Sequence, residues 1–213
     1  VYSFGKCLFM PADLTAGLEY NRDNLKDDMW GYNRYTKQTV NIGSAFLQNE
    51  WKNEKWSILL GGRLDKHNLI DHVIFSPRAN LRFNPSEDIN LRLSYSSGFR
   101  APQAFDEDLH IENVGGTVSM IERAKNLKEE KSQSFSASAD MYHRFGAFQV
   151  NFLVEGFYTR LSDVFVLENI GERDGILIKE RRNGSGAKVL GLSMEGKMAY
   201  LSLFQLQAGV TLQ

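Results

Sequence analysis

Apolar and polar side chains alternate along this chain from one end to the other, and few folds accept that pattern. Between Ile89 and Tyr95 the apolar Ile89, Leu91, Leu93 and Tyr95 interleave with Asn90, Arg92 and Ser94. Phe135, Ala137, Ala139 and Met141 interleave with Ser134, Ser136, Ser138 and Asp140, and Phe204, Leu206, Ala208, Val210 and Leu212 with Gln205, Gln207, Gly209, Thr211 and Gln213. A period of two places one set on each face of a β-strand. A wall with one apolar face and one hydroxyl, amide or charged face suits a membrane β-barrel, which turns the first toward lipid and the second toward its lumen. Weaker versions of the pattern cover 15–21, 39–51, 56–68, 72–83, 147–160, 176–182 and 189–201, which makes about ten strands. Several approach the roughly 9–11 residues that a tilted membrane strand needs. Helical periodicity is confined to a short stretch near Ala101 to His110.

The connections are uneven. Short ones at 52–55, 84–88 and 143–146 alternate with long ones, notably 98–131, the asymmetry expected of turns on one rim and loops on the other. Trp51, Trp56, Phe83, Tyr95, Phe99, Tyr142, Phe145, Phe157, Tyr158 and Tyr200 stand at or near strand ends, where a barrel carries its aromatic girdles.

Charge and hydropathy narrow the function. Twenty-five Lys and Arg against 26 Asp and Glu leave a net charge of −1, which argues against nucleic acid as a partner. The mean hydropathy of −0.35 does not argue against a membrane, because alternating strands keep the average low. No apolar run approaches the roughly 20 residues of a membrane-spanning helix. The single Cys7 offers neither an intrachain disulfide nor a zinc framework, and no resident metal or cofactor is expected. Serine-nucleophile, zinc-protease and phosphate-loop motifs are all missing, so an enzyme is not expected. The chain opens at Val1 without a leader-like segment and stops at Gln213 inside a strand, and so reads as a piece of something longer.

Seven blocks follow one another along the chain. They are Phe46-Leu47-Gln48-Asn49-Glu50-Trp51, Gly61-Gly62-Arg63-Leu64-Asp65, Phe75-Ser76-Pro77-Arg78-Ala79, and Tyr95-Ser96-Ser97-Gly98-Phe99-Arg100-Ala101-Pro102. Asn126-Leu127-Lys128-Glu129-Glu130-Lys131-Ser132, Gly156-Phe157-Tyr158-Thr159, and Asn183 through Gly191 leading into Glu195 complete the set. In this order the blocks resemble those of the TonB-dependent outer-membrane receptors of Gram-negative bacteria. The resemblance implies an all-β antiparallel transmembrane barrel fragment, about half of a plugged barrel of about 22 strands. It further implies that the plug domain, the first strands and a terminal strand lie outside residues 1–213. The function it implies is active uptake of a scarce nutrient, a ferric siderophore or similar small chelate. The partners are that chelate, TonB acting through the plug, and outer-membrane lipid. A haem receptor, a cobalamin receptor and a soluble β-sheet binding module are the alternatives. Where the family usually has Asn-Pro-Asn-Leu, this chain reads Ala124-Lys125-Asn126-Leu127, without the proline that would stiffen entry into the next strand.

The ligand-binding candidates lie in two long connections. The 103–131 segment carries Asp106, Glu107, Asp108, His110, Glu112, Met120 and Arg123. Carboxylates and a histidine there suit a metal chelate, and Asp106, Asp108 and Arg123 are the candidates. The haem-transporting branch of the family carries a histidine between these motif blocks, which makes His110 a candidate axial ligand. The 168–186 segment carries Arg181 and Arg182, suited to an anionic ligand, and part of it is expected to form a hairpin with the stretch after Val164. Asn183-Gly184-Ser185 fits a glycosylation pattern but is better explained as turn chemistry. Gly98, Phe99, Arg100, Ala101, Pro102, Asn126 and Leu127 are read as architecture at the rim, with Gly98 giving a turn and Arg100 tying loop carbonyls or carboxylates. Asp65 and His67 share one strand face, and Asp65 is expected to serve a polar network in the lumen.

Overall fold

The computed structural model describes residues 1–32, 34–109, 112–114 and 117–213. Ten strands make one antiparallel sheet. In chain order they are β1 (Tyr2–Cys7), β2 (Met10–Met29), β3 (Arg34–Lys52), β4 (Trp56–His67), β5 (Val73–Ser86), β6 (Ile89–Arg100), β9 (Glu130–Phe145), β10 (Phe148–Ser162), β13 (Ala187–Tyr200) and β14 (Phe204–Leu212). They neighbour one another in that same order, and β1 and β14 form the two edges. The four remaining strands, β7 (Glu112–Val114), β8 (Thr117–Arg123), β11 (Phe165–Arg173) and β12 (Ile176–Asn183), form a separate sheet in the order β11-β12-β8-β7. A four-residue helix, α1 (Asp106–Leu109), precedes β7.

The alternation has the expected consequence, and it inverts the usual rule of burial. Leu18 is 87 % exposed and Leu190 66 %, and Leu47, Leu60, Leu64, Leu93, Phe135 and Leu206 are also exposed. The hydrophobic core, by contrast, is a small cluster of Ile70, Ile74 and Ala101, against which Phe99 packs. Each large aliphatic left in water forgoes roughly 1.5–3 kcal/mol. A face this extended must therefore be covered, and in a barrel wall lipid covers it. Among the described residues no helix is long and apolar enough to cross a membrane. A membrane crossing would fall to the strands.

The opposite face is polar and bonded to itself. Asp65, 3 % exposed, accepts from Ser44 Oγ at 2.6 Å and from Arg63 Nε at 2.8 Å, while Arg63 also reaches Glu19 at 2.8 Å. This is the network expected of Asp65. His67 is fully buried, and its Nδ1 accepts from the backbone N–H of Leu69 at 3.0 Å.

Aromatics gather at the short-turn rim: Phe9 stacks on Trp51, Trp56 on Phe83 at 4.1 Å, and Phe148 packs against Tyr200. Two residues expected there lie elsewhere. Phe99 belongs to the small core, and Phe157 sits over Gly191 on the face opposite the exposed Leu190.

Several boundaries differ from the alternation alone. β1 was not anticipated, and 176–182 belongs to the second sheet and not to the wall. β2 and β3 run 20 and 19 residues, well past 15–21 and 39–51, so their hairpin stands above its neighbours. In β6 the strand continues through Gly98, which pairs with Ser132, to Arg100, which pairs with Glu130. Gly98 therefore makes no turn. A side chain there would come 3.3 Å from Ser132 Oγ, and the ladder ends at Ala101-Pro102.

Candidate functional site

The two long connections fold together. β11 and β12 form a hairpin closed by Asp174-Gly175, both with positive φ, the backbone that a tight two-residue turn demands. β12 then pairs in parallel with β8, from Ile176 opposite Val118 to Arg181 opposite Arg123. A parallel ladder between segments so far apart in sequence makes one cap out of two loops.

Three contacts hold the cap in place. Arg181, 4 % exposed, gives Nε to Asp108 Oδ1 at 2.8 Å and Nη2 to the same oxygen at 2.7 Å, and it reaches Glu107 at 3.0 Å. Asp108, 2 % exposed, takes the backbone N–H of Phe105 on its other oxygen at 3.0 Å. The Phe105 ring lies 3.8 Å beneath the Arg100 guanidinium and 5.8 Å from Phe165. Arg100 thus meets the cap through a cation–π contact, worth about 0.5–2 kcal/mol. Asn183 joins the hairpin to the start of β9: its Oδ1 accepts from Lys128 N at 2.8 Å and its Nδ2 donates to the carbonyls of Lys128 at 3.0 Å and Asp163 at 2.8 Å. Both ends of that amide are committed to the fold. Leu127 N donates to Ala124 O at 3.2 Å, closing the Asn126 turn without the missing proline.

Between the cap and the top of the β2–β3 hairpin lies a chamber of about 570 Å³. The hairpin contributes Tyr32, Arg34, Tyr35 and Thr36, and the cap contributes Asp108, Met120, Glu122, Arg123, Arg173 and Asp174 with apolar neighbours. Arg34 Nη2 donates to the carbonyls of Asp108 and of Ile121, and Gln38 accepts from Ala104 N at 2.8 Å, so β3 supports the cap from below. Arg173 pairs with Glu122 at 2.8 Å, and Asp108 is taken by Arg181. Nη1 of Arg34 is buried with no hydrogen-bond partner among the described residues. With those acids paired, the chamber presents Arg34 and Arg123 against Asp174. It suits a small ligand with anionic oxygens.

The sequence candidates separate accordingly. Arg123 lines the chamber, at the end of the β8–β12 ladder. Asp108 and Arg181 are brought together, but as a buried pair holding the cap. Arg182 points elsewhere, to Glu180 at 2.7 Å and Glu168 at 2.5 Å; the Glu180 hydrogen bond and the Glu168 charge raise its pKa. His110 and the side chain of Asp106 lie outside the described residues. Arg34 escaped the sequence reading because it sits in a wall strand. Its signal was a charge in an alternating strand that extends beyond its neighbours.

A titratable anchor joins the cap to the next loop. Glu129, 6 % exposed, meets His72 at 3.1 Å and Lys131 at 3.0 Å. Burial opposes its charge, but a backbone hydrogen bond, Lys131 and His72 outweigh it and hold its pKa below the ordinary 4.5. A carboxylate with a depressed folded pKa contributes stability that is complete above the unfolded value and lost as pH falls through the folded one. Acidification below about 4.5 should therefore free residues 124–129 first, with faster amide exchange there than in the wall. Glu129→Gln should remove that pH dependence. An unchanged acid profile in the variant would show that the anchor lies elsewhere.

The family model described as TonB dependent receptor-like, beta-barrel, matches residues 2–212. No curated protein matches the sequence. Among solved structures, the siderophore receptor PirA of Pseudomonas aeruginosa superposes with a TM-score of 0.77 at 17% identity, over 98% of this chain and 41% of that one. A mutant of the ferric enterobactin receptor PfeA of the same organism, in complex with enterobactin, gives 0.73 at 17% identity, over 100% and 35%. The hemophore receptor HasR of Serratia marcescens, in complex with its hemophore HasA and heme, gives 0.70 at 14% identity, over 94% and 38%. The chain thus spans well under half the length of the receptors whose fold it shares.

Proposed function

Since this chain belongs to the TonB-dependent receptor β-barrel family, we propose that it forms part of the wall and the ligand-facing cap of an outer-membrane receptor. The receptor takes up a scarce nutrient actively, with a ferric siderophore or similar small chelate as the ligand. Uptake is driven through TonB acting on a plug domain outside residues 1–213, and the role is transport, not catalysis. The observation that carries this reading is the chamber of about 570 Å³ between the cap and the β2–β3 hairpin, with Arg34 and Arg123 facing it. Siderophore and heme-bound hemophore receptors among the structural neighbours support the ligand class. The exposed apolar face and the family match both speak for a membrane wall over a soluble binding module.

The test is a titration of the full-length receptor in detergent with ferric siderophores, haem and cobalamin. A ferric chelate should bind, and Arg123→Gln should weaken it about tenfold, the loss expected for one charge-assisted hydrogen bond. His110→Ala should leave that affinity unchanged. Haem binding abolished by His110→Ala would replace the siderophore with haem, and binding of none of the three would overturn uptake of a metal chelate.

A further inference from the structure

Charge is sorted between the two faces of the wall. From β3 to β14 every Asp and Glu of the wall strands stands on the polar face, whereas Lys37, Lys66, Lys131, Arg160 and Lys188 stand on the lipid-facing one. Three of these cations come together. Arg160 of β10 and Lys188 of β13 are directly opposite in the ladder, and Lys131 of β9 is a diagonal step from Arg160, opposite Ser162. All three are exposed. Like charges directly opposite one another destabilise a sheet, so this cluster calls for an anion. Lys131 meets Glu129 at 3.0 Å, and neither Arg160 nor Lys188 meets a carboxylate among the described residues. The row continues across the sheet in neutral donors, for Arg160 is opposite Gln133 and Gln133 is opposite Ser97 of β6. From Lys188 to Ser97 it spans three strand spacings, about 14 Å.

Apolar surface begins directly beneath. The next row on the same face is Leu190, Tyr158, Phe135 and Tyr95. Below that row the small Gly156 and Ala137 lie side by side and floor a trough of about 740 Å³, which reaches from Ile58 of β4 to Leu190 of β13. Five strand spacings make it about 24 Å across, room for several acyl chains side by side. A second hollow of about 470 Å³ shares Leu81, Leu93 and Ala137 with the first and carries the trough on past Ala139 toward Trp56. On β10 the stretch from Phe148 to Tyr158 has the length of a membrane crossing, roughly 9–11 residues. Arg160 therefore stands at the loop-side boundary of the apolar band, at the level of lipid headgroups.

We infer that Lys131, Arg160 and Lys188, with the trough beneath them, form a binding site for a phosphorylated glycolipid of the outer leaflet. Its phosphates lie on the cations and its acyl chains against Ala137 and Gly156. The inference rests on the proposed reading of the sheet as a membrane wall. Charge complementarity selects a phosphate-bearing headgroup, and width selects the lipid class. A row about 14 Å long, with cations at one end and amide and hydroxyl donors at the other, matches a phosphorylated sugar headgroup. A glycerophospholipid brings one phosphate and two chains, too little to span the row or fill the trough.

The experiment is native mass spectrometry of the full-length receptor released from detergent. It is titrated with lipid A, a bisphosphorylated diglucosamine carrying several acyl chains, and separately with phosphatidylglycerol and with inorganic phosphate. Lipid A should bind most tightly. Arg160→Gln combined with Lys188→Gln should weaken it about thirtyfold, at roughly fivefold for each cation beside an anionic headgroup. Ala137→Phe, which fills the trough and leaves the cations in place, should weaken it as well. Heat-modifiable migration confirms the folding of each variant. Equal affinity for phosphatidylglycerol or phosphate, undiminished lipid A binding in either variant, or a receptor dimer broken by Ala137→Phe overturns the site. Chelate titration on the same samples separates the two ideas: chelate binding without lipid A sinks the lipid site alone, and lipid A binding without a chelate sinks the uptake reading alone.

Discussion

Asp108→Ala is expected to detach the cap from an otherwise intact wall. Arg181, 4 % exposed, would lose both contacts to Asp108 and keep, among the described residues, the Phe105 ring at 5.2 Å and Glu107, whose side chain is 69% exposed. The backbone N–H of Phe105 would lose its acceptor as well. Breaking a buried pair from one side strands the remaining charge and costs about 3–5 kcal/mol. Limited proteolysis should then cut within 103–131 and 163–186 while the heat-modifiable migration of the barrel stays the same. The double replacement Asp108→Leu with Arg181→Met should recover most of the protection, because well-packed apolar side chains often replace such a pair without loss. Equal protease sensitivity in the single and double variants would mean that Asn183 and the β8–β12 ladder hold the cap without the ion pair.

The second large effect lies in the wall. At Gly191 an added Cβ would stand 2.6 Å from the backbone oxygen of Leu212 and 2.5 Å from the Phe157 ring. A ring can turn aside, but the carbonyl belongs to a neighbouring strand and cannot move without shifting β14. Gly191→Val should therefore cost at least the roughly 1–3 kcal/mol of overpacking and prevent β14 from pairing with β13. The readout is loss of the compact, heat-modifiable form. Adding Phe157→Ala should restore it only in part, since the Leu212 contact persists. Full restoration would show that the ring clash was the whole cost.

The wall could be read from sequence because each of its strands needs only its own alternation to declare two faces. Ile89 to Tyr95 and Phe135 to Met141 show this most clearly, and the order in which the strands neighbour one another is that of the chain, as in an antiparallel meander. The cap could not be read in the same way. β8 has no strict alternation, and its partner β12 lies more than fifty residues on, so nothing local specifies their parallel pairing. Asp108 and Arg181 were both legible as charged loop residues, yet their mutual burial depends on that pairing. The β11–β12 turn was legible, since Asp174-Gly175 between apolar stretches is a hairpin signal. Arg182 illustrates the opposite error, a cation whose neighbours Glu168 and Glu180 become its partners once the hairpin forms.

The parallel ladder between β8 and β12 also bears on how such a receptor changes what it recognises. Loops of barrels are usually treated as separately exchangeable parts. Here a graft of residues 101–129 alone would leave β12 without its partner strand, and a graft of 163–186 alone would strand β8 in the same way. The two segments therefore form one unit of inheritance, and a transplant of specificity onto another barrel would have to carry both.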